Sequence, residues 1–208
     1  MRLSSLLAAL TLSLSAPAEE PHAPEDVQRQ VWPSPNGRLS MQHGWSQDLR
    51  VGLLSKENVD LTAYTLSNRA GQVLWSGTSW VDSSAHSFAC IWADDSRNTV
   101  LLDRPNRGEV EITLVRTGEK ISAMILPTQE LIHQVLTGAK DTDELHLEKQ
   151  WCGDWRFRHG RFEGVVIVAK SRYYRLHLSV DPSAATPDLH LLDMRQAEDW
   201  DDAWEKLK

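Results

Sequence analysis

Glu109-Val110-Glu111-Ile112-Thr113-Leu114 decides the fold class. Apolar and polar residues alternate through it without a break, and a period of two is what a strand with one buried face requires. Turn chemistry flanks it, with Pro105 to Gly108 before and Thr117-Gly118 after. Runs of the same kind recur outward at intervals of about ten residues. Toward the N-terminus they are Arg38 to His43, Leu49 to Leu54, Leu61 to Leu66, Gln72 to Trp75, Ser87 to Trp92 and Asn98 to Leu102. Toward the C-terminus they are Lys120 to Leu126, Leu145 to Trp151, Trp155 to His159, Phe162 to Ala169 and Arg172 to Val180. In the last run Tyr174, Leu176, Leu178 and Val180 fall on one side, with Arg175, His177 and Ser179 on the other, which predicts a half-buried strand. Further turns at Ser34-Pro35-Asn36-Gly37, Asn68 to Gly71, Asp94-Asp95-Ser96 and His159-Gly160 make neighbouring strands into hairpins. The expected fold is all-β and antiparallel.

Two helices interrupt this pattern. Thr128, after Pro127, can cap a helix over 128–138, in which Leu131, Ile132, Val135 and Leu136 form an apolar stripe that ends at Gly138. A C-terminal helix is expected from Asp193, with Gln196 completing a capping box and Met194, Ala197, Trp200, Trp204 and Leu207 forming the docking face.

Length and composition bound the function. The chain has 208 residues, 41% hydrophobic and 25% charged, which suits one globular domain. A net charge of −7 leaves no concentrated basic face for nucleic acid. Past residue 18 no apolar run approaches the roughly 20 residues of a membrane-spanning helix. Met1-Arg2, the uncharged Leu3 to Leu14 and the small-x-small Ala16-Pro17-Ala18 read as a secretory signal peptide over 1–18, cleaved after Ala18. Pro21, Pro24 and Pro33 among acids mark 19–33 as an extended lead, followed by a single β-rich domain over 34–208. The expected location is periplasmic or extracellular.

Export gives the two cysteines a choice of states. Cys90 and Cys152 can close as a disulfide in an oxidising compartment, restricting the unfolded chain by about 4 kcal/mol. Alternatively both are buried thiols beside tryptophans, in Ala89-Cys90-Ile91-Trp92 and Trp151-Cys152-Gly153.

A weak internal repeat follows from the turns. Trp32-Pro33-Ser34-Pro35-Asn36-Gly37-Arg38 recurs as Trp92-Ala93-Asp94-Asp95-Ser96-Arg97 with one residue deleted, and each copy then runs through alternating strands. These turns resemble the Ser-Pro-Asp-Gly and Trp-Ser-Pro-Asp-Ser turns of WD-type β-propeller repeats in bacterial exported proteins, over residues 32–126. A more degenerate third copy can run from Trp151-Cys152-Gly153-Asp154-Trp155 to Val180. The resemblance implies two or three four-stranded blade-like sheets and a platform for binding; it carries no catalytic residue across. Three such units cannot easily close a ring of typically about 4 to 8 blades, so an incomplete propeller or an open sandwich is expected.

Catalytic signatures are missing. Gly77-Thr78-Ser79-Trp80 ends in Val81 where a nucleophile elbow needs glycine. His133 is alone in its predicted helix, and His146, His177 and His190 sit in Leu-His-Leu contexts, where alternation turns the imidazole to solvent, so no metal is expected. Asp94-Asp95, Asp141/Asp143/Glu144 and Asp199/Asp201/Asp202 read as solvated acids, and no phosphate loop or dinucleotide fingerprint occurs, so no cofactor is expected.

Tryptophan is the unusual feature, with 9 residues in the chain. Trp75 and Trp92 end apolar strands, and Trp200 and Trp204 belong to the helix stripe, so these four are expected in the core. Trp45, Trp80, Trp151 and Trp155 have polar or turn neighbours and are the candidate ligand-binding residues. The function expected from the sequence is a noncatalytic exported binding or scaffold module that contacts a protein partner through loops and exposed Trp. The alternative is a carbohydrate-binding or carbohydrate-active protein with an unrecognised acid pair.

Overall fold

The computed structural model describes residues 30–45, 60–81, 87–104, 109–138, 149–169 and 172–204. The expected signal peptide, most of the expected lead and the strand expected at Leu49 to Leu54 lie outside the described residues.

Three four-stranded antiparallel meanders make up the fold, with no closed barrel among the described residues. The first sheet is β1 (Gln30–Pro33), β2 (Leu39–Trp45), β3 (Asp60–Asn68) and β4 (Val73–Val81). β5 (Ser87–Trp92), β6 (Asn98–Arg104), β7 (Glu111–Thr117) and β8 (Ile121–Ile125) form the second. After helix α1 (Thr128–Gly138) come β9 (Lys149–Arg158), β10 (Arg161–Ala169), β11 (Tyr173–Val180) and β12 (Leu189–Ala197), then the short α2 (Trp200–Ala203). In each sheet the strands lie in chain order, because hairpins join neighbours.

The sheets stack in sequence, and each offers the same face to the next. Across the first sheet Trp32, Met41, Leu66 and Trp75 are register partners, and this row packs on Cys90, Leu101 and Val115 of the second. The corresponding row of the second sheet is Ile91, Val100, Leu114 and Met124, of which the first three pack against the third. The third sheet answers with Val166, Val168, Tyr174, Leu176, Leu178 and Val180, while α1 adds Leu131, Ile132, Val135 and Leu136. β6 is therefore apolar on both faces, with Val100, Leu101 and Leu102 all buried. Each such fully buried Leu contributes about 2 kcal/mol relative to exposure.

The repeat is real in geometry but needs no deletion. Ser34 N–H donates to the Leu39 carbonyl and Gly37 N–H to Ser34, and the same bonds run from Ala93 to Asn98 and from Ser96 to Ala93. Asn36 Oδ1 accepts from Arg38 N–H as Asp95 Oδ1 accepts from Arg97 N–H. Gly37 (φ 65°) and Ser96 (φ 58°) take the same left-handed conformation. Pairing these turns sets Trp32 against Ile91 rather than Trp92. The two Trp are one position out of register, and the Trp92 indole N–H instead donates to the Trp32 carbonyl (3.1 Å).

Three expectations are corrected. The described part of the run Leu145 to Trp151, residues 149–151, and the run from Trp155 to Arg158 belong to one strand, β9, whose pairing with β10 is interrupted by a bulge where Asp154 adopts φ 53°. The C-terminal helix does not begin at Asp193. Asp193, Met194, Arg195 and Gln196 pair with His177, Leu176, Arg175 and Tyr174, because an open edge on β11 outcompetes a local capping box. The helix starts after Asp199, whose side chain accepts from the Asp202 N–H (2.9 Å). Finally, β11 is buried on both faces, since α2 lies over its polar side and Arg175 Nη1 donates to the Ala203 carbonyl (3.4 Å). No helix among the described residues is long and apolar enough to cross a membrane.

Candidate binding site at the seam of the first two sheets

Where the outer strands of the first two sheets meet, they leave a hollow of about 250 Å³. Tyr64, Trp75 and Gly77 line it from the first sheet, and Leu101, Glu111, Thr113, Ala123 and Ile125 from the second. Gly77 is required here: a Cβ on it would come within 2.6 Å of the Trp75 ring, so the indole lies flat over its backbone. Glu111 lies on the polar face of β7, and the first sheet half covers that face. Burial raises its carboxyl pKa, opposed by a hydrogen bond with the Thr113 hydroxyl and reinforced by the charge of Glu109.

Behind the hollow lies a buried polar cluster. His43, 1% exposed, stacks on Phe88 with ring centroids 3.5 Å apart and tilts against Tyr64 at 4.7 Å. The Tyr64 hydroxyl donates to the Leu102 carbonyl (3.4 Å), and its pKa is pushed well above the ordinary value, first by burial and then by the charge of Asp103. This cluster ties the two sheets together and backs the wall of the hollow.

The candidate tryptophans go elsewhere. The backbones of Trp45 and Trp80 pair with Thr62 and Leu61 near the ends of β2 and β4, while their side chains lie outside what is described. Trp151 is half-buried in an aromatic cluster, 4.3 Å from the Trp200 ring, and helps seat α2 on the third sheet. Trp155 is 8% exposed and is not a surface platform. The bulge at Asp154 turns its ring onto Gly164, where an added Cβ would meet it at 2.2 Å, and its indole N–H donates to Val165 (3.3 Å). Trp75, expected in the core from its apolar run, packs half-buried against the core of the first two sheets and also lines the hollow. The sequence signal for it was the Trp-x-Gly spacing of Trp75 and Gly77, which leaves room for a ring over a backbone.

No disulfide joins Cys90 and Cys152. Both line a hollow of about 360 Å³ between β5 and β9, but Cys90 packs into the core of the first two sheets and Cys152 into that of the second and third. Cys90 Sγ lies 3.1 Å from Thr99 Oγ1, and burial pushes its thiol up to about 12 against that hydrogen bond.

On the far face of the third sheet, Ser179 and His177 stand two residues apart on β11 with Asp193 opposite His177. Among the described residues neither His177 Nε2 nor Ser179 Oγ has a hydrogen-bond partner. Among the described residues no group of His, Cys, Asp and Glu could hold a metal ion. Comparison of the chain with protein-family models, with curated proteins and with solved structures found no match.

Proposed function

We propose that this chain is an exported, noncatalytic binding module that engages a protein partner at the outer edge formed by β4 and β8. One observation carries the reading. Four of the six exposed large hydrophobics among the described residues, Val73 (56%), Leu74 (38%), Met124 (37%) and Ile125 (62%), lie on these two strands, and Ile125 lines the hollow together with Trp75. A solvated surface has no reason to gather apolar side chains in this way, whereas an interface does. The WD-repeat-like stack of sheets supplies the rigid frame, and the contact comes from an edge rather than from the loop tryptophans.

The test uses the tagged mature chain, 19–208, cross-linked in an envelope extract alongside an Ile125→Asp variant. A protein captured by the wild-type chain, lost with the variant, and rebound in purified form supports the reading. Capture that ignores Ile125→Asp overturns it. Mass spectrometry of the same exported material checks the compartment, with an N-terminus at Glu19 expected.

The hollow favours a second reading. A Trp75 ring beside the Glu111 carboxylate and the Thr113 hydroxyl is a combination that holds a sugar ring by stacking and hydrogen bonds. Saturation-transfer NMR against envelope glycans, repeated with Trp75→Ala, separates it from protein docking.

A further inference from the structure

β8 is an edge strand, and among the described residues it lacks the usual protection. Ile121-Ser122-Ala123-Met124-Ile125 contains no charge and no proline, and its last four residues are exposed. Natural sheets blunt such edges with Lys, Pro, a bulge or a covering element, because an open edge templates pairing with another chain. Leu126 N–H donates to the Ile112 carbonyl (2.8 Å), which sets the alternation of the ladder between β7 and β8. Ser122 and Met124 therefore bond inward to Arg116 and Leu114. The N–H and C=O groups of Ile121, Ala123 and Ile125 point to the open side.

The side chains of Ala123 and Ile125 line the hollow, so residues of an added strand that sit opposite them face the hollow as well. What awaits there is Glu111. Besides burial, the groups acting on its carboxyl among the described residues are the Thr113 hydroxyl and the Glu109 carboxylate, neither of them cationic. Glu109, Glu111 and Glu130 also line the adjoining hollow at the start of α1. A half-buried carboxylate beside an indole face is matched by an ammonium or guanidinium group.

We infer that the open edge of β8 receives an extended basic segment of a partner polypeptide as a fifth strand, with a Lys or Arg side chain entering the hollow between Trp75 and Glu111. This rests on the reading of the β4 and β8 edge as a protein-docking surface. Charge decides against a second copy as the occupant: two chains of net charge −7 repel, while a basic strand is drawn to the edge. Backbone bonds to Ile121, Ala123 and Ile125 supply binding without much sequence preference, and the hollow supplies the selection.

The experiment titrates the mature chain with short peptides of alternating Thr and Val that carry Lys, Gln or Glu at the central position. Binding is read by fluorescence polarisation, and amide hydrogen exchange is read at Ile121, Ala123 and Ile125. The Lys peptide is expected to slow exchange at those amides and to bind at least about tenfold more tightly than the Glu peptide, a gap of roughly 1.4 kcal/mol. Glu111→Gln, checked for folding by its melting curve, should close that gap while leaving the exchange protection in place. Equal binding of all three peptides, lost with Ile125→Asp, would keep the docking edge and overturn the basic segment. Failure of every peptide to protect β8 overturns the strand-addition inference, and if Ile125→Asp also leaves partner capture intact, the docking reading falls with it. A concentration-dependent dimer abolished by Ile125→Asp would give the edge to a second copy and overturn the inference. Glycan binding that excludes the peptides would do so in favour of the sugar reading.

Discussion

Gln129 and Gln150 exchange two hydrogen bonds head to head, 3.0 Å from Gln129 Nε2 to Gln150 Oε1 and 2.8 Å in return. The pair also receives the Val110 N–H at Gln150 Oε1 (3.1 Å) and donates from Gln129 Nε2 to the Val110 carbonyl (3.1 Å). One buried amide clasp thus joins the start of α1, β9 and the residue that leads into β7. Gln150 is 0% exposed and Val110 1%, so the Val110 N–H loses its partner inside the protein if Gln150 is replaced.

Gln150→Leu should therefore destabilise the chain by about 2–3 kcal/mol, because it strands the buried Val110 N–H away from water and takes a partner from the half-buried Gln129 amide. Chemical denaturation measures it. Replacing both glutamines with Met should cost less than the sum of the single changes, since the side-chain amides are then removed together.

Gly153→Ala tests the seat of α2. An added Cβ would come within 2.3 Å of the Trp204 ring, an overlap that must lift the indole or distort β9. A loss of about 1–3 kcal/mol is expected, with a red shift of tryptophan emission as the cluster of Trp151, Trp200 and Trp204 opens. In a Trp204→Leu background the same substitution should cost less, and equal cost would place the strain in the backbone.

Glu111→Gln should raise the melting temperature at neutral pH. Its folded carboxyl has a raised pKa, so the folded state holds the proton more tightly than the unfolded chain does. That preference is fully present below the unfolded pKa and is lost as pH rises through the folded one. The ionised carboxylate is thus a burden at neutral pH, and the variant's advantage should vanish on acidification. A residue that costs stability in this way is what a binding site retains.

Alkali should weaken the fold through Cys90. Its thiol lies near 12 against an ordinary value of 9.0, so stability is intact below about pH 9 and declines as pH rises toward 12. The full difference is roughly 4 kcal/mol. Cys90→Ser would add a hydroxyl to an apolar site, so Cys90→Ala is the better control: it should flatten this part of the pH profile. Native-state alkylation at pH 8 should leave Cys90 unmodified until denaturant is added.

The sequence determined β2 to β8, β10, β11, the Asx turns and α1, because these depend on neighbours in the chain. Alternation in Glu109 to Leu114, the Asx turns at Asn36 and Asp95 and the stripe from Leu131 to Leu136 are local signals, and they survive in place. Tertiary structure decided whatever depended on what lies opposite. It converted Asp193 to Gln196 from a helix start into an edge strand, because β11 had an unpaired ladder to fill. It turned Trp155 inward, because one bulged residue reverses which face a side chain takes. It made a site of Glu111 and Trp75, which the chain holds 36 positions apart, because a polar face reads as solvent-exposed until a second sheet is laid over it. Periodicity records that a strand has two faces; only the packing of sheets says what each face meets.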